Sequence, residues 1–274
     1  MPSACYPTLI GTALRKLYFR PGHPIGKARR LDPIEKILGR KKIRVRTESG
    51  FFFACDQRDW LQRNLLCNRS HEPEVTALFS EQLRQTDTFF DIGANAGYFS
   101  CHALSLGVSR VLAFEPDPGT CSVLKEQLQL NGWSESRWQI NQLGLSDRVG
   151  TNQLILGSDS GESGFGQWPH REAIGEIAVA MTTLDAYCDL EGERPSVMKI
   201  DVEGWEYPVL CGGEGVLADR GLRLIVFEAE VDRDGRIRDQ RIVALLEKCG
   251  FSIAHIRRPS GMLKPTENFS AQRD

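Results

Sequence analysis

From residue 87 onward the chain predicts an α/β fold: a mainly parallel sheet with helices on both faces, preceded by an N-terminal extension. Three observations carry this. Short apolar runs alternate with stretches of helical period, the pattern of strand–helix–strand units. The first run, Phe89-Phe90-Asp91-Ile92, ends in a glycine turn, Gly93-Ala94-Asn95-Ala96-Gly97, and then a helix start at Tyr98-Phe99. The length, 274 residues with 41% apolar side chains, supplies one cored domain and an addition to it.

In chain order, residues 1–70 read as the extension: a basic arm, a hairpin and a cap helix. Residues 1–40 are rich in Pro, Gly and Arg and contain one short helix, Pro33 to Leu38, with Asp32 as its N-cap. Lys42 to Thr47 and Gly50 to Cys55 are strands around the turn Glu48-Ser49-Gly50. Asp56 to Leu66 and Glu72 to Leu83 are helices, the second with Leu78, Phe79 and Leu83 on its apolar face. The main domain spans 71–258. Its strands fall at 87–92, 109–114, 137–143, 196–201, 222–228 and 251–256, and its helices at 96–106, 118–131, 205–211 and 236–249. Residues 150–156 and 176–182 are two further strands. Between them Gly157 to Gly166 is a polar, glycine-rich segment, readable as a solvent loop or a substrate lid. Residues 259–274 read as a C-terminal tail.

Net charge is only −2, but it is unevenly spread. Basic side chains outnumber acidic ones several-fold in the first 50 residues, and the rest carries an acidic excess. That body makes a broad phosphate footprint, and hence nucleic acid as the partner, the disfavoured reading. The eight cysteines form no C-x-x-C pair, which argues against a zinc framework and fits a reducing, cytoplasmic setting. No apolar run is long enough to span a membrane.

The glycine turn and the second strand, Val111 to Phe114 followed by Glu115-Pro116, describe a site for an adenosine-bearing cofactor. Gly93 and Gly97 permit backbone angles and close approach that a side chain would block. Glu115, 22 residues after Gly93, ends its strand where a carboxylate accepts hydrogen bonds from ribose hydroxyls. The turn has two glycines rather than the three of a dinucleotide fingerprint, and Asp91 puts negative charge where a pyrophosphate would lie. An ammonium and a sulfonium would be drawn there instead, which favours S-adenosylmethionine.

The chain resembles the FkbM family of S-adenosylmethionine-dependent methyltransferases. The resemblance rests on Asp91 through Phe99, Phe114-Glu115-Pro116, Leu145-Ser146-Asp147 with Gly150, Thr183-Leu184-Asp185, and the distinctive Lys199-Ile200-Asp201-Val202-Glu203-Gly204-Trp205-Glu206. It implies a class I methyltransferase (Rossmann-like) fold, with a mainly parallel seven-stranded sheet ending in an antiparallel hairpin. It implies methyl transfer, usually to an oxygen of a sugar or secondary metabolite. Carried over by position, Asp91, Gly93, Asn95 and Gly97 surround the methionine part, Glu115 and more weakly Asp117 meet the ribose, and Gly144, Leu145, Ser146 and Asp147 face the adenine. Glu72 matches a family position that approaches the cofactor; Glu before Pro also suits a helix start.

At the chemical end, strand alternation puts Lys199 and Asp201 on one face. Asp201, Glu203 or Lys199 could position the acceptor hydroxyl or take its proton. A carboxylate is favoured, because Asp201 would raise rather than depress the Lys199 pKa. The competing structural reading pairs Lys199 with Asp201 and makes Glu203 a helix cap. Asp201 and Glu228, with Glu230, are the carboxylates a magnesium ion would use, as in catechol-type O-methyltransferases of similar fold; a metal-free site is the expectation. His102 reads as structural, and His170 and His255 as weaker base candidates. Trp168 and Trp205 read as acceptor-pocket or packing residues. The leading function is O-methylation of a small-molecule hydroxyl. The alternatives are N-methylation of an amine or protein, and a non-catalytic protein that binds S-adenosylmethionine. Homodimerisation stays open.

Overall fold

A computed structural model of the chain describes residues 5–6, 42–56, 59–157, 161, 163–165, 173–258 and 264–273. The rest of the basic arm, with the 33–38 helix, and Trp168 and His170 lie outside the described residues. Strands β1 (Cys5–Tyr6), β2 (Lys42–Arg46) and β3 (Phe52–Cys55) form a small sheet in which β2 and β3 are the expected hairpin. Helices α1 (Trp60–Asn68) and α2 (Pro73–Gln82) follow. The first starts later than its pattern suggests because the Asp59 carboxylate accepts from the Gln62 amide and caps it.

The main domain then alternates: β4 (Thr88–Ile92), α3 (Tyr98–Ser105), β5 (Arg110–Phe114), α4 (Pro118–Leu130), β6 (Trp138–Asn141), β7 (Gly144–Leu145), β8 (Gly150–Leu156), β9 (Gly175–Thr182), α5 (Leu184–Glu191), β10 (Val197–Ile200), α6 (Glu206–Cys211), α7 (Glu214–Ala218), β11 (Leu224–Glu230), α8 (Gln240–Lys248), β12 (Ser252–His255) and β13 (Thr266–Gln272). Seven strands make one sheet in the order β12-β13-β11-β10-β4-β5-β6. The five from β11 to β6 run parallel, and β13 pairs antiparallel with both β11 and β12. This is the expected class I arrangement. One expectation is corrected: the 259–274 stretch is not a tail, because Thr266–Gln272 inserts as a strand between β11 and β12. Its inward residues include Glu267, Asn268 and Ser270, all buried, so no apolar alternation announced it.

β4 is apolar on both faces, as a central parallel strand must be. Phe89 packs with Phe53, Phe79, Phe99 and Leu124 on one side; Phe90 packs with Phe114, Leu184 and Phe227 on the other. Each buried Phe contributes about 1.5–3 kcal/mol of transfer free energy. Asp87 fixes the start of the strands: it accepts from the Arg84 amide at 2.7 Å and the Ser196 hydroxyl at 2.8 Å, and pairs with Arg223. The N-terminal hairpin is joined to the body through α4. Gln127 and Asn131, one turn apart, exchange hydrogen bonds of 2.7–3.0 Å with the backbone of Ala54 and Phe52, in place of a neighbouring strand. Among the described residues no helix is long and apolar enough to cross a membrane.

Candidate active site

The C-terminal ends of β4, β5, β10 and β11 open into one cleft of about 740 Å³, a size that suits a cofactor with an acceptor. Gly93, at φ 78°, crosses tightly under β10: a Cβ on it would overlap the Asp201 carbonyl oxygen. The Gly93 and Ala94 amides both donate to the Phe114 carbonyl, each at 3.0 Å, which bends the turn over β5. The bend aims the Asn95 amide at Glu115 Oε2, 3.0 Å away, while the Asp117 amide donates to Glu115 Oε1 at 3.0 Å. Glu115 is thereby fixed by two amides, and each of its oxygens keeps a lone pair for a ligand. Burial pushes its pKa up to about 7, against the two amide bonds.

At the other end, Lys199 donates to Asp201 Oδ2 at 2.7 Å, and its buried ammonium sits 4.7 Å over the Phe99 ring. Burial works against the charge on Lys199, yet Asp201, Glu72 and Asp91 together hold the ammonium above the ordinary lysine range. For Asp201 burial raises the pKa, and the Lys199 contact outweighs it, keeping the carboxylate ionised. Asp91, level with Lys199 on the neighbouring strand, accepts from the Ser100 hydroxyl at 2.6 Å; burial raises its pKa. Burial, with Asp201 and Glu203 nearby, raises Glu228 to about 9, and the Thr266 hydroxyl donates to it at 2.8 Å.

Helix α6 has no side-chain cap; its first residue, Glu206, instead closes the loop after β10 by accepting from the Val202 and Gly204 amides at 3.2 Å each, and Glu203 lines the cleft with its backbone at φ 54°. Glu72 also lines the cleft at positive φ, 40°. Asn268 of β13 donates to its Oε1 at 3.0 Å, while its Oε2 is buried with no hydrogen-bond partner. Together with Asn95 at φ 49°, three non-glycine residues of the cleft hold left-handed backbone, a cost that persists where the surroundings over-determine it.

Of the residues expected from sequence, the cleft gathers Glu72, Asp91, Gly93, Asn95, Gly97, Glu115, Gly144, Leu145, Lys199, Asp201, Glu203 and Glu228. Others it does not gather. Asp117 is a helix cap, accepting from the Thr120 amide at 2.8 Å. Ser146 is buried beneath Trp205, whose indole donates to it at 3.3 Å. The Asp147 side chain is 48% exposed, beside Arg148, and is not part of the cleft lining. Glu230 is exposed at the end of β11. His102 is walled in by Phe51 and Tyr98, and His255 stacks on Phe269 beside Glu267; neither lines the cleft.

The cleft also holds residues the sequence did not single out. Leu143 and Phe165 cover the end beside β7, with Phe165 leaning on Trp205 at 5.6 Å. Gly164 brings Phe165 there through a bridge to Ile155, with hydrogen bonds of 3.0 Å in both directions, so this part of the glycine-rich segment folds back over the site. Arg258 and Lys264 stand at the far wall. His71 lines the cleft with its ring against Tyr98 and Phe99, at 5.5 and 5.8 Å between centroids. Only the apolar Phe165 within a polar loop was a usable signal; a lone histidine before Glu-Pro-Glu was not.

Residues 91–253 match the Methyltransferase FkbM domain family. The chain is 27% identical over 173 residues to the hexuronic acid methyltransferase AglP of Haloferax volcanii, a match covering 59% of this chain and 64% of that protein. It thus spans just under two thirds of that relative's length. Among solved structures it is similar to the Methyltransferase FkbM of Methylobacillus flagellatus KT, with 16% identity and a TM-score of 0.49 over 76% of this chain and 52% of the other. It is also similar to a precorrin-6y C5,15-methyltransferase of Geobacter metallireducens GS-15, with 15% identity and a TM-score of 0.44 over 74% and 89%.

Proposed function

Because the chain belongs to the FkbM methyltransferase family, we propose that it moves the methyl group of S-adenosylmethionine to a hydroxyl of a sugar or related secondary metabolite. The observation that carries this is a single cleft with a doubly anchored Glu115 at one end and the Lys199–Asp201 pair at the other.

The residues fit the cofactor. Glu115 offers two oriented acceptors to the ribose hydroxyls. Leu143, Gly144 and Phe165 supply apolar cover for a flat base. The orphaned Glu72 Oε2 calls for a donor, and the cofactor's ammonium is one. When bound, S-adenosylmethionine supplies a methyl carbon made electrophilic by its sulfonium. The chain's part is to hold that carbon and the acceptor oxygen about 3 Å apart and in line. Ionised Asp201 at the strand end positions the acceptor by its charge; Lys199 keeps Asp201 charged and in place. Glu203 lies beside them as a hydrogen-bond acceptor for the substrate.

A magnesium ion fits this donor set poorly. Asp201 is engaged by a buried ammonium, and Glu228 holds a proton up to about pH 9. Among the described residues no three His, Cys, Asp or Glu side chains group as metal ligands. A small molecule suits the acid-lined cleft better than nucleic acid does. The sugar class is supported by the relative acting on hexuronic acid. A cytoplasmic setting is supported by Cys101, Cys121 and Cys188 serving as buried thiols.

Calorimetric titration with S-adenosylmethionine, S-adenosylhomocysteine and NAD tests the first half of this reading. Binding of the first two and not the third is expected; binding of NAD alone overturns it. Transfer of labelled methyl to a panel of hexoses and hexuronic acids tests the second half. Label transferred only to amines would replace it with N-methylation.

A further inference from the structure

Methylation of a hydroxyl releases a proton, and three of the cleft groups considered so far are badly placed to take it. Lys199 is an ammonium, and Glu228 is already protonated. Asp201 is ionised, but its contact with Lys199 makes it a weak base. His71 differs. It stands on the strap between α1 and α2, which enters the cleft through left-handed residues at Arg69 and Glu72. Its ring flanks Phe99, the ring over which the Lys199 ammonium also sits, so imidazole and ion pair face the same space. Among the described residues, none hydrogen-bonds to either ring nitrogen. Burial lowers the His71 pKa, leaving the imidazole neutral with a lone pair to offer. The charges that face it are Glu72 and Glu74 from its own segment and Lys199 and Asp201 from β10; the three carboxylates favour the imidazolium and Lys199 opposes it.

We propose that His71 is the general base of the methyl transfer, taking the proton of the acceptor hydroxyl. The inference rests on the O-methylation reading above. As the acceptor oxygen bonds to the methyl carbon, the carbon–sulfur bond breaks and sulfur keeps that electron pair. The hydroxyl proton passes to a His71 ring nitrogen, the imidazolium is stabilised by Asp201, and the proton leaves to water after product departs. The residue lies outside the 91–253 stretch that matches the family, so the match does not assign it.

Two measurements test this. The first needs no acceptor: nitrogen-15 NMR of the imidazoles in the complex with S-adenosylhomocysteine, using His71→Gln to assign the signal. The expected result is a neutral ring at pH 7 that gains its proton only on acidification, with Asp201→Asn moving that titration to lower pH. An imidazolium at pH 7 overturns the proposal. The second is the pH–rate profile of transfer to the best hexose or hexuronic acid in the panel. The expected loss in kcat for His71→Gln is about 100-fold or more, with S-adenosylhomocysteine affinity changed less than about twofold and partial rescue of His71→Ala by added imidazole. The acidic limb of the wild-type profile should vanish in the variant. An unimpaired variant overturns the proposal and returns the proton to a cleft carboxylate, Asp201 or Glu203. If no acceptor in the panel is methylated, the functional reading fails by itself, and the NMR result still decides the state of His71.

Discussion

Gly93→Ala probes the closest backbone crossing in the site. Gly93 sits at φ 78°, where an L-residue costs about 1–2 kcal/mol. Its added Cβ would also overlap the Asp201 carbonyl oxygen and touch Val202 Cγ1 at 3.1 Å. The oxygen belongs to backbone held by the Asp201 amide's 2.9 Å bond to Ile92, so it cannot rotate aside as a side chain would. Parting β4 from β10 to relieve the overlap adds about 1–3 kcal/mol, the usual cost of overpacking. The whole loss is then about 2–5 kcal/mol. Gly132→Ala separates the two contributions: its φ is similar, 70°, and nothing lies within 4 Å of its Cβ. Urea unfolding of both variants should give a loss of about 1–2 kcal/mol for Gly132→Ala and at least about 1 kcal/mol more for Gly93→Ala. Affinity for S-adenosylhomocysteine should fall only in the latter. Equal losses in stability would refute the argument that contact with Asp201 demands a glycine there.

Other substitutions separate the roles assigned above. Glu115→Ala removes two charged acceptors at about 1.5–3 kcal/mol each, so titration calorimetry should register at least about a 100-fold loss in S-adenosylhomocysteine affinity. Asp147→Ala should leave that affinity unchanged; a comparable loss would return Asp147 to the adenine site. Lys199→Met strands Asp201 and should cost about 3 kcal/mol in urea unfolding, toward the low end of the 3–5 kcal/mol range because Asp201 stays partly exposed. Adding Asp201→Asn to Lys199→Met should restore most of that stability. Glu228 has a folded pKa of about 9, above its unfolded value near 4.5. Its protonated form therefore favours the fold, a contribution present at acid pH and lost as pH rises through about 9. Thermal midpoints should fall between pH 6 and 9, less steeply in Glu228→Gln; parallel profiles would show that Glu228 is not the group responsible.

The parallel strands were readable because β4, β5, β10 and β11 are buried on both faces and appear as short apolar runs, interrupted by Asp91 in β4 and Lys199 in β10. The glycine turn and Glu115 were readable because the chemistry restricts which residues work there. Three kinds of feature were not. Strand β13 buries Glu267, Asn268 and Ser270, polar groups whose partners lie outside the strand: Arg258, just before it, for Glu267 and the distant Glu72 for Asn268. Helix α5 begins at Leu184, where Thr183 and Asp185 stood out as motif residues and masked the cap that Thr183 supplies. The place of Asp147 outside the cleft lining was not legible, because it lies beyond the end of β7, where no strand alternation fixes the side chain. His71 carried no local pattern; its meaning comes from Phe99 and Lys199, which only the fold brings to it.

The placement of β13 also bears on how the protein is made. It pairs along its length with β11 on one side and with β12 on the other, yet it follows both in the chain. During synthesis β11 leaves the ribosome with an open edge, and that edge stays unfilled until some forty further residues have emerged. Asn268 on this last strand holds the Glu72 carboxylate at the cleft. A nascent chain halted before residue 268 could therefore complete the glycine turn and Glu115 but not the strap that carries Glu72 and His71. Competence for the reaction would arrive late and all at once, with the docking of one strand.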